Sequence, residues 1–178
     1  FAGCKKQTIE NENNTVPEKN FYADVKYGNN VNWLGNTQDL LMDVYLPDGA
    51  VNTNQKYPFI MYVHGGGFVK GDKSLGASYA RRLTQLGYVV ASIDYRIGWT
   101  QDTVNMCNGD TLEAKKAIYR ALQDTRAAFR YIVANAGQYG VDTSWMFLSG
   151  SSAGGVTTLF LPVVNDQNVA TVFPGFEN

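Results

Sequence analysis

The chain has 178 residues, of which 44% are hydrophobic and 17% charged, and its 15 basic and 16 acidic residues leave a net charge of −1. A chain of this length can bury roughly 70% of its unfolded surface, enough for one cored domain. It carries no basic stripe for nucleic acid, and no run of roughly 18 or more apolar residues that would span a membrane.

In chain order, the first segment is Phe1-Ala2-Gly3-Cys4, followed by a polar stretch rich in Asn, Lys and Glu. Small residues before a cysteine match a bacterial lipoprotein processing site, which predicts a lipid anchor at Cys4 and a secreted or cell-envelope location. Residues 1–20 read as a disordered tail and linker, because residues 5–20 have almost no apolar content. Cys107, the other cysteine, is expected to be free or paired outside this sequence, since a flexible tail seldom docks to bridge Cys4 to Cys107.

Tyr22–Gly28 and Leu40–Pro47 read as two antiparallel strands joined by a polar loop, and Pro47-Asp48-Gly49 as the turn that ends the second. Lys56–Val63 reads as a buried strand running into His64-Gly65-Gly66-Gly67-Phe68. Three consecutive glycines after a strand let backbone N–H groups face a cavity with no side chain in the way, as an oxyanion hole requires. Ser78–Leu86 reads as a helix stopped by Gly87, and Tyr88–Ile93 as a strand buried on both faces. Asp94-Tyr95-Arg96 closes that strand; it reads as a structural ion pair with hydrogen bonds, or alternatively as support for the glycine loop. Residues 97–109 read as a loop. Asp110 and Glu113 make a capping-box-like pair at the head of the longest helix, whose apolar stripe runs from Ala114 to Val133 and is ended by Gly137.

The apolar run Trp145-Met146-Phe147-Leu148 leads into Gly150-Ser151-Ser152-Ala153-Gly154, and Val156–Leu161 can form a helix after it. Strand, G-x-S-x-G turn and helix is the context in which this motif marks a nucleophilic serine. Such a turn needs glycine where strand and helix nearly touch. It places Ser152 at the apex in strained backbone, near the positive end of the following helix. Alternating strands and helices predict an α/β fold, a mostly parallel sheet in a three-layer sandwich, with both motifs at strand C-terminal ends where such sheets place their sites. A dinucleotide- or phosphate-binding reading fails. Gly65-Gly66-Gly67 lacks the G-x-G-x-x-G pattern, and the later glycine-rich turn has Ser where a phosphate-binding Lys is expected.

Together, His64-Gly65-Gly66-Gly67-Phe68, Asp94-Tyr95-Arg96 and Gly150-Ser151-Ser152-Ala153-Gly154-Gly155 resemble the α/β-hydrolase carboxylesterases and lipases. The resemblance is to bacterial esterases akin to hormone-sensitive lipase and to acetyl- or feruloyl-esterase-like enzymes. It covers the chain from about Tyr22, so residues 21–178 read as the N-terminal portion of one α/β-hydrolase domain, truncated after the nucleophile elbow and its helix. It implies that Ser152 is the nucleophile and that the N–H groups of Gly66, Gly67 and Ala153 form the oxyanion hole. It also implies that Gly65 lets the loop turn, and that His64 shapes the loop and is not the base. Ser151 departs from the hormone-sensitive-lipase branch, which usually carries an acidic residue there. No metal or cofactor is expected, because two cysteines and one histidine fall short of an ordinary zinc ligand set.

Ester hydrolysis by serine needs a general base and a carboxylate to orient it, in the chain order Ser, Asp or Glu, His. Downstream of Ser152 the sequence holds Asp166 and Glu177 but no histidine, and His64 is its only one. The expectation is a serine carboxylesterase acting on small-molecule or polymer-borne esters through an acyl-Ser152 intermediate. Its catalytic Asp and His would lie in a missing C-terminal part or a separate chain. The resemblance also implies that the serine strand, 143–149, is central, with further strands beyond it. A serine peptidase of the same fold and a non-catalytic binding module are the alternatives.

Overall fold

The computed structural model describes residues 20–50, 54–99 and 110–173. The expectations for Cys4, Cys107 and the tail before residue 20 fall outside them. Five strands, β1 (Phe21–Val31), β2 (Thr37–Tyr45), β3 (Tyr57–Val63), β4 (Val89–Ile93) and β5 (Val141–Gly150), form one sheet in the order β1-β2-β4-β3-β5. β1 with β2 and β2 with β4 pair antiparallel, while β4 with β3 and β3 with β5 pair parallel. The sheet is therefore mixed, and both motifs follow the parallel strands.

Helices α1 (Ala77–Thr84), α2 (Thr111–Ala134), α3 (Ala136–Tyr139), α4 (Ala153–Phe160) and α5 (Val169–Val172) complete the fold. The period-2 alternation of the strands sorts their side chains between two helical layers. Phe59, Met61 and Val63 of β3, with Val89, Ala91 and Ile93 of β4, share the main core with Ala117, Ala121, Ala128 and Ile132 of α2. On the opposite face, Val90 and Tyr45 pack with Ala80 of α1. Each fully buried large aliphatic or aromatic side chain in these layers contributes about 1.5–3 kcal/mol of transfer free energy. β4 is buried along its whole length, as its continuous apolar run requires between two layers.

Element boundaries differ from the sequence reading where local chemistry acts early. A 3₁₀ turn at Lys73–Gly76, capped by the Asp72 side chain accepting from Ser74 N at 2.7 Å, leads into α1, which stops at Thr84. α2 begins as expected, with the Asp110 carboxylate accepting from Leu112 N and Glu113 N at 2.9 and 3.2 Å. Its C-cap is Asn135, not Gly137, which lies inside α3; the left-handed residue is Gly140, at φ +65°. Among the described residues β5 pairs with β3 alone and forms one edge of the sheet, the apolar edge expected for these residues without the further strands that the resemblance implies. Trp145 and Phe147 on it are 61% and 42% exposed.

Candidate active site

The parallel register sets Val63 opposite Gly150, so the loops after β3 and β5 leave the sheet side by side. Ser151 N donates to the Val63 carbonyl at 3.2 Å and extends the pairing into the turn. α4 then starts at once: Gly154 N donates to the Ser151 carbonyl at 2.9 Å and Val156 N to the Ser152 carbonyl at 3.0 Å. At the apex Ser152 takes φ +50°, ψ −117° and is exposed. Such backbone costs a non-glycine residue about 1–3 kcal/mol and persists only where its surroundings over-determine it. Here they do, because the helix and the end of β3 are in backbone contact. A Cβ on Gly154 would lie 2.0 Å from the Val63 carbonyl oxygen, and one on Gly150 would lie 2.4 Å from that of Gly154.

The glycine loop passes directly over this elbow. A Cβ on Gly65 would stand 3.2 Å from Ser152 Cβ and 2.9 Å from the Ser151 carbonyl oxygen. Beyond it Gly66, Gly67 and Phe68 all take positive φ, +119°, +63° and +63°. Val69 N and Lys70 N close the turn on the Gly66 carbonyl at 3.1 and 3.2 Å, and a Cβ on Gly66 would fall 2.0 Å from the Lys70 oxygen. Phe68 accepts its unfavourable backbone because its ring is buried edge-on to Tyr95, with centroids 6.2 Å apart. Among the hydrogen bonds of the described residues, the amides of Gly66, Gly67 and Ala153 donate to no acceptor. Ala153 opens α4, so its N–H belongs to the unpaired first turn and to the positive end of the helix.

His64 is 1% exposed and built into the wall behind the loop. Its Nδ1 lies 2.7 Å from the Gly65 carbonyl, an acceptor only, which fixes the proton on Nδ1. The imidazole stacks on the Tyr95 ring at 4.3 Å and 18°, and Tyr95 Oη donates to the His64 carbonyl at 2.9 Å. Burial pushes the Tyr95 phenol well up, so it remains a donor.

The triplet after β4 thus divides between its two readings. Arg96 is the structural ion pair: Nε and Nη2 reach the buried Asp124 carboxylate on α2 at 2.7–3.0 Å, and Nη1 donates to the Val31 carbonyl of β1 at 2.9 Å. The Asp94 carboxylate accepts from Lys73 N, and burial nevertheless raises its pKa above the usual carboxylate value. Of the three, Tyr95 is the one that packs on the glycine loop, against His64 and Phe68.

Two supports were not legible in the sequence. Trp99 Nε1 donates to the Gly67 carbonyl at 3.0 Å, while Gly98 N donates to that of Phe68 at 2.7 Å, so Gly98 and Trp99 clamp the glycine turn. A tryptophan in a stretch rich in Gly, Asn and Thr was the only signal. On the other side, Tyr62 Oη and Ser151 Oγ share a hydrogen bond at 3.1 Å. Among the described residues no three His, Cys, Asp or Glu side chains gather as a metal site would. Chemically, the arrangement sets the exposed Ser152 beside a loop and a helix end where the amides of Gly66, Gly67 and Ala153 have no acceptor among the described residues.

Comparison with known proteins gives the family and the fold. The BD-FAE family model matches residues 42–177. A probable isoprenylcysteine alpha-carbonyl methylesterase of Oryza sativa subsp. japonica is 32% identical over 113 residues, 64% of this chain and 22% of that protein. Lipase 2 of Geotrichum candidum is 28% identical over 126 residues, 68% of this chain and 22% of its own. Among solved structures, Esterase B of Lactobacillus rhamnosis aligns with a TM-score of 0.64 at 24% identity, over 89% of this chain and 44% of that one. The chain therefore spans about a fifth of these two curated relatives and under half of the solved esterase.

Proposed function

The chain belongs to the BD-FAE family of α/β-hydrolase esterases, and from that premise we propose that it is part of a serine carboxylesterase acting through an acyl-Ser152 intermediate. One observation carries the reading: the exposed Ser152, held at φ +50°, lies against Gly65 of a loop whose next two amides have no acceptor among the described residues. Ser152 Oγ would attack the ester carbonyl carbon, and the carbonyl electron pair would move onto oxygen. The N–H groups of Gly66, Gly67 and Ala153 would hold that oxyanion, helped by the positive end of α4. Removing one such donor typically costs about 10²–10³ in rate.

The serine proton needs a base, which would then return it to the leaving alcohol; a water molecule, activated in the same way, would release the acid. His64 is poorly suited to this, since it is 1% exposed behind the glycine loop and its Nδ1–H is held by the neutral Gly65 carbonyl where a base needs an orienting carboxylate. The base and its orienting carboxylate are therefore proposed to come from outside these 178 residues, in a longer protein or a separate chain. The substrate is proposed to be a small-molecule or polymer-borne ester. A lipid anchor at Cys4 and a secreted or envelope location belong to the same proposal.

In the full-length protein, a fluorophosphonate should add its mass to the peptide containing Ser152. Ser152→Ala should lower kcat by roughly 10⁵–10⁶. Labelling at Ser149 or Ser151 would refute the assignment. An aryl acetate should be cleaved far faster than a peptide amide; the reverse preference would make the protein a peptidase, and neither activity with no labelling a binding module. Hydrolysis at ordinary enzyme rates by the 178 residues alone would return His64 to the role of base. For the anchor, the native N-terminus should carry a diacyl- or triacyl-cysteine at Cys4, and an unmodified Cys4 would exclude it.

A further inference from the structure

We propose that Tyr62 is a positioning residue for Ser152, acting through the side chain of Ser151; the inference rests on the reading of Ser152 as nucleophile. Alternation along β3 sends Met61 and Val63 into the main core and turns Tyr62 to the opposite face, in register with Ser149 of β5. From there its Oη reaches forward to Ser151 Oγ at 3.1 Å. The Tyr62 ring packs against Tyr79 of α1, with centroids 5.2 Å apart and planes at 42°. Tyr79 Oη in turn lies 3.1 Å from Ser149 Oγ. The Tyr79 hydroxyl thus ties α1 to β5, while the Tyr62 hydroxyl ties β3 to the elbow.

Ser151 is the joint on which the strained apex turns. Its N–H is held by Val63 and its carbonyl by Gly154. The Gly65 backbone lies against it, since a Cβ there would stand 2.9 Å from Ser151 O and 3.2 Å from Ser151 Oγ. Ser151 is itself exposed, so burial does not fix it. Among the described residues the Tyr62 hydroxyl supplies the one side-chain hydrogen bond to Ser151, at the point where β3, the glycine loop and the elbow meet. Both partners are neutral hydroxyls, so the restraint adds no negative charge beside a developing oxyanion. Misplacing a nucleophile by an ångström or less slows reaction without weakening substrate binding.

The test is a double-mutant cycle on the full-length enzyme with an aryl ester. Tyr62→Phe should lower kcat roughly 5- to 10-fold, about the worth of one hydrogen bond, with KM unchanged and the melting temperature lowered by no more than about 2–4 °C, so that the protein stays fully folded at the assay temperature. Ser151→Ala should cost the same, and the double variant no more than either single, because both remove one interaction. The rate of fluorophosphonate labelling at Ser152 should fall by the same factor. Tyr79→Phe removes the tie between α1 and β5 and should leave kcat at its original value. A wild-type kcat in Tyr62→Phe, additive losses, an equal loss in Tyr79→Phe, or a fall in folded fraction that accounts for the lost rate would each overturn the proposal. Ser152→Ala separates the two levels. If it keeps activity, the serine reading itself fails; if it is inactive while Tyr62→Phe is normal, only this inference fails.

Discussion

Gly154 and Gly155 are neighbours of the same type with opposite tolerance. The obstacle to a side chain at Gly154 is the Val63 carbonyl, 2.0 Å from an added Cβ, and backbone cannot swing aside as a side-chain tip can. Gly154→Ala should therefore destabilise the protein by about 3 kcal/mol, near the upper end of overpacking effects, and displace Ser152 enough to lose its reactivity. At Gly155 the nearest atom to an added Cβ is the Gly150 oxygen at 3.4 Å, an ordinary contact. There alanine trades a poor helix former for the best one, so Gly155→Ala should be neutral or stabilising by up to about 1 kcal/mol. Chemical denaturation of both variants, with fluorophosphonate labelling of each, decides the matter. Equal losses at both positions would mean that the elbow is merely glycine-rich and not in backbone contact with β3.

Among the elements, α2 is fastened to the sheet by one buried ion pair as well as by its alanine stripe. Arg96 leaves the end of β4, meets Asp124 in the middle of α2, and reaches β1 through Val31. Both side chains are nearly inaccessible, at 4% and 2%. Removing one partner strands the other charge, so Asp124→Ala should cost about 3–5 kcal/mol, while replacing both by apolar residues of similar volume should recover most of it. Urea unfolding of the single and double variants measures this, and a double variant no better than the single would contradict it. The sequence showed α2 itself clearly, because Asp110, Glu113 and a long apolar stripe are local signals. It also showed the elbow and the glycine loop, whose chemistry is written in adjacent residues. It did not show that Arg96 answers Asp124, that Trp99 holds Gly67, or that Tyr62 holds Ser151, since nothing local distinguishes those partners. The Gly137 stop failed for a related reason: Asn135 already interrupts the helix, and a short turn carries the chain on to Gly140. Trp145 and Phe147 read as an apolar strand and do form one, but periodicity could not say that they stand exposed at the edge of the five described strands.

Across the whole molecule, buried phenols tie distant parts together and set how the fold responds to alkali. Tyr27 of β1 donates to the Asp94 carbonyl, Tyr95 to that of His64, and Tyr139 packs edge-on against Tyr22 with centroids 5.4 Å apart. These three are 8%, 2% and 1% exposed, and burial pushes each phenol well above its usual value. In the unfolded chain tyrosines release their protons from about pH 10, whereas these three stay protonated in the folded state. Above that pH the unfolded state binds fewer protons, so stability must fall as pH rises. Lys73 acts in the same direction. Burial alone would lower its pKa, but hydrogen bonds to Asp43 and Asp24, both at 2.9 Å in the ion pairs, raise it above the ordinary lysine value. Its contribution is fully present below the unfolded value of about 10.4 and is lost as pH rises through the folded one. The urea midpoint should therefore hold level through the neutral range and fall steeply above about pH 10, with Lys73→Met removing part of the slope. The tyrosinate absorbance of the buried set should appear only together with loss of the native circular dichroism. If all eleven tyrosines ionised while that signal remained native, the phenols would not be sealed and their ionisation would not be coupled to unfolding.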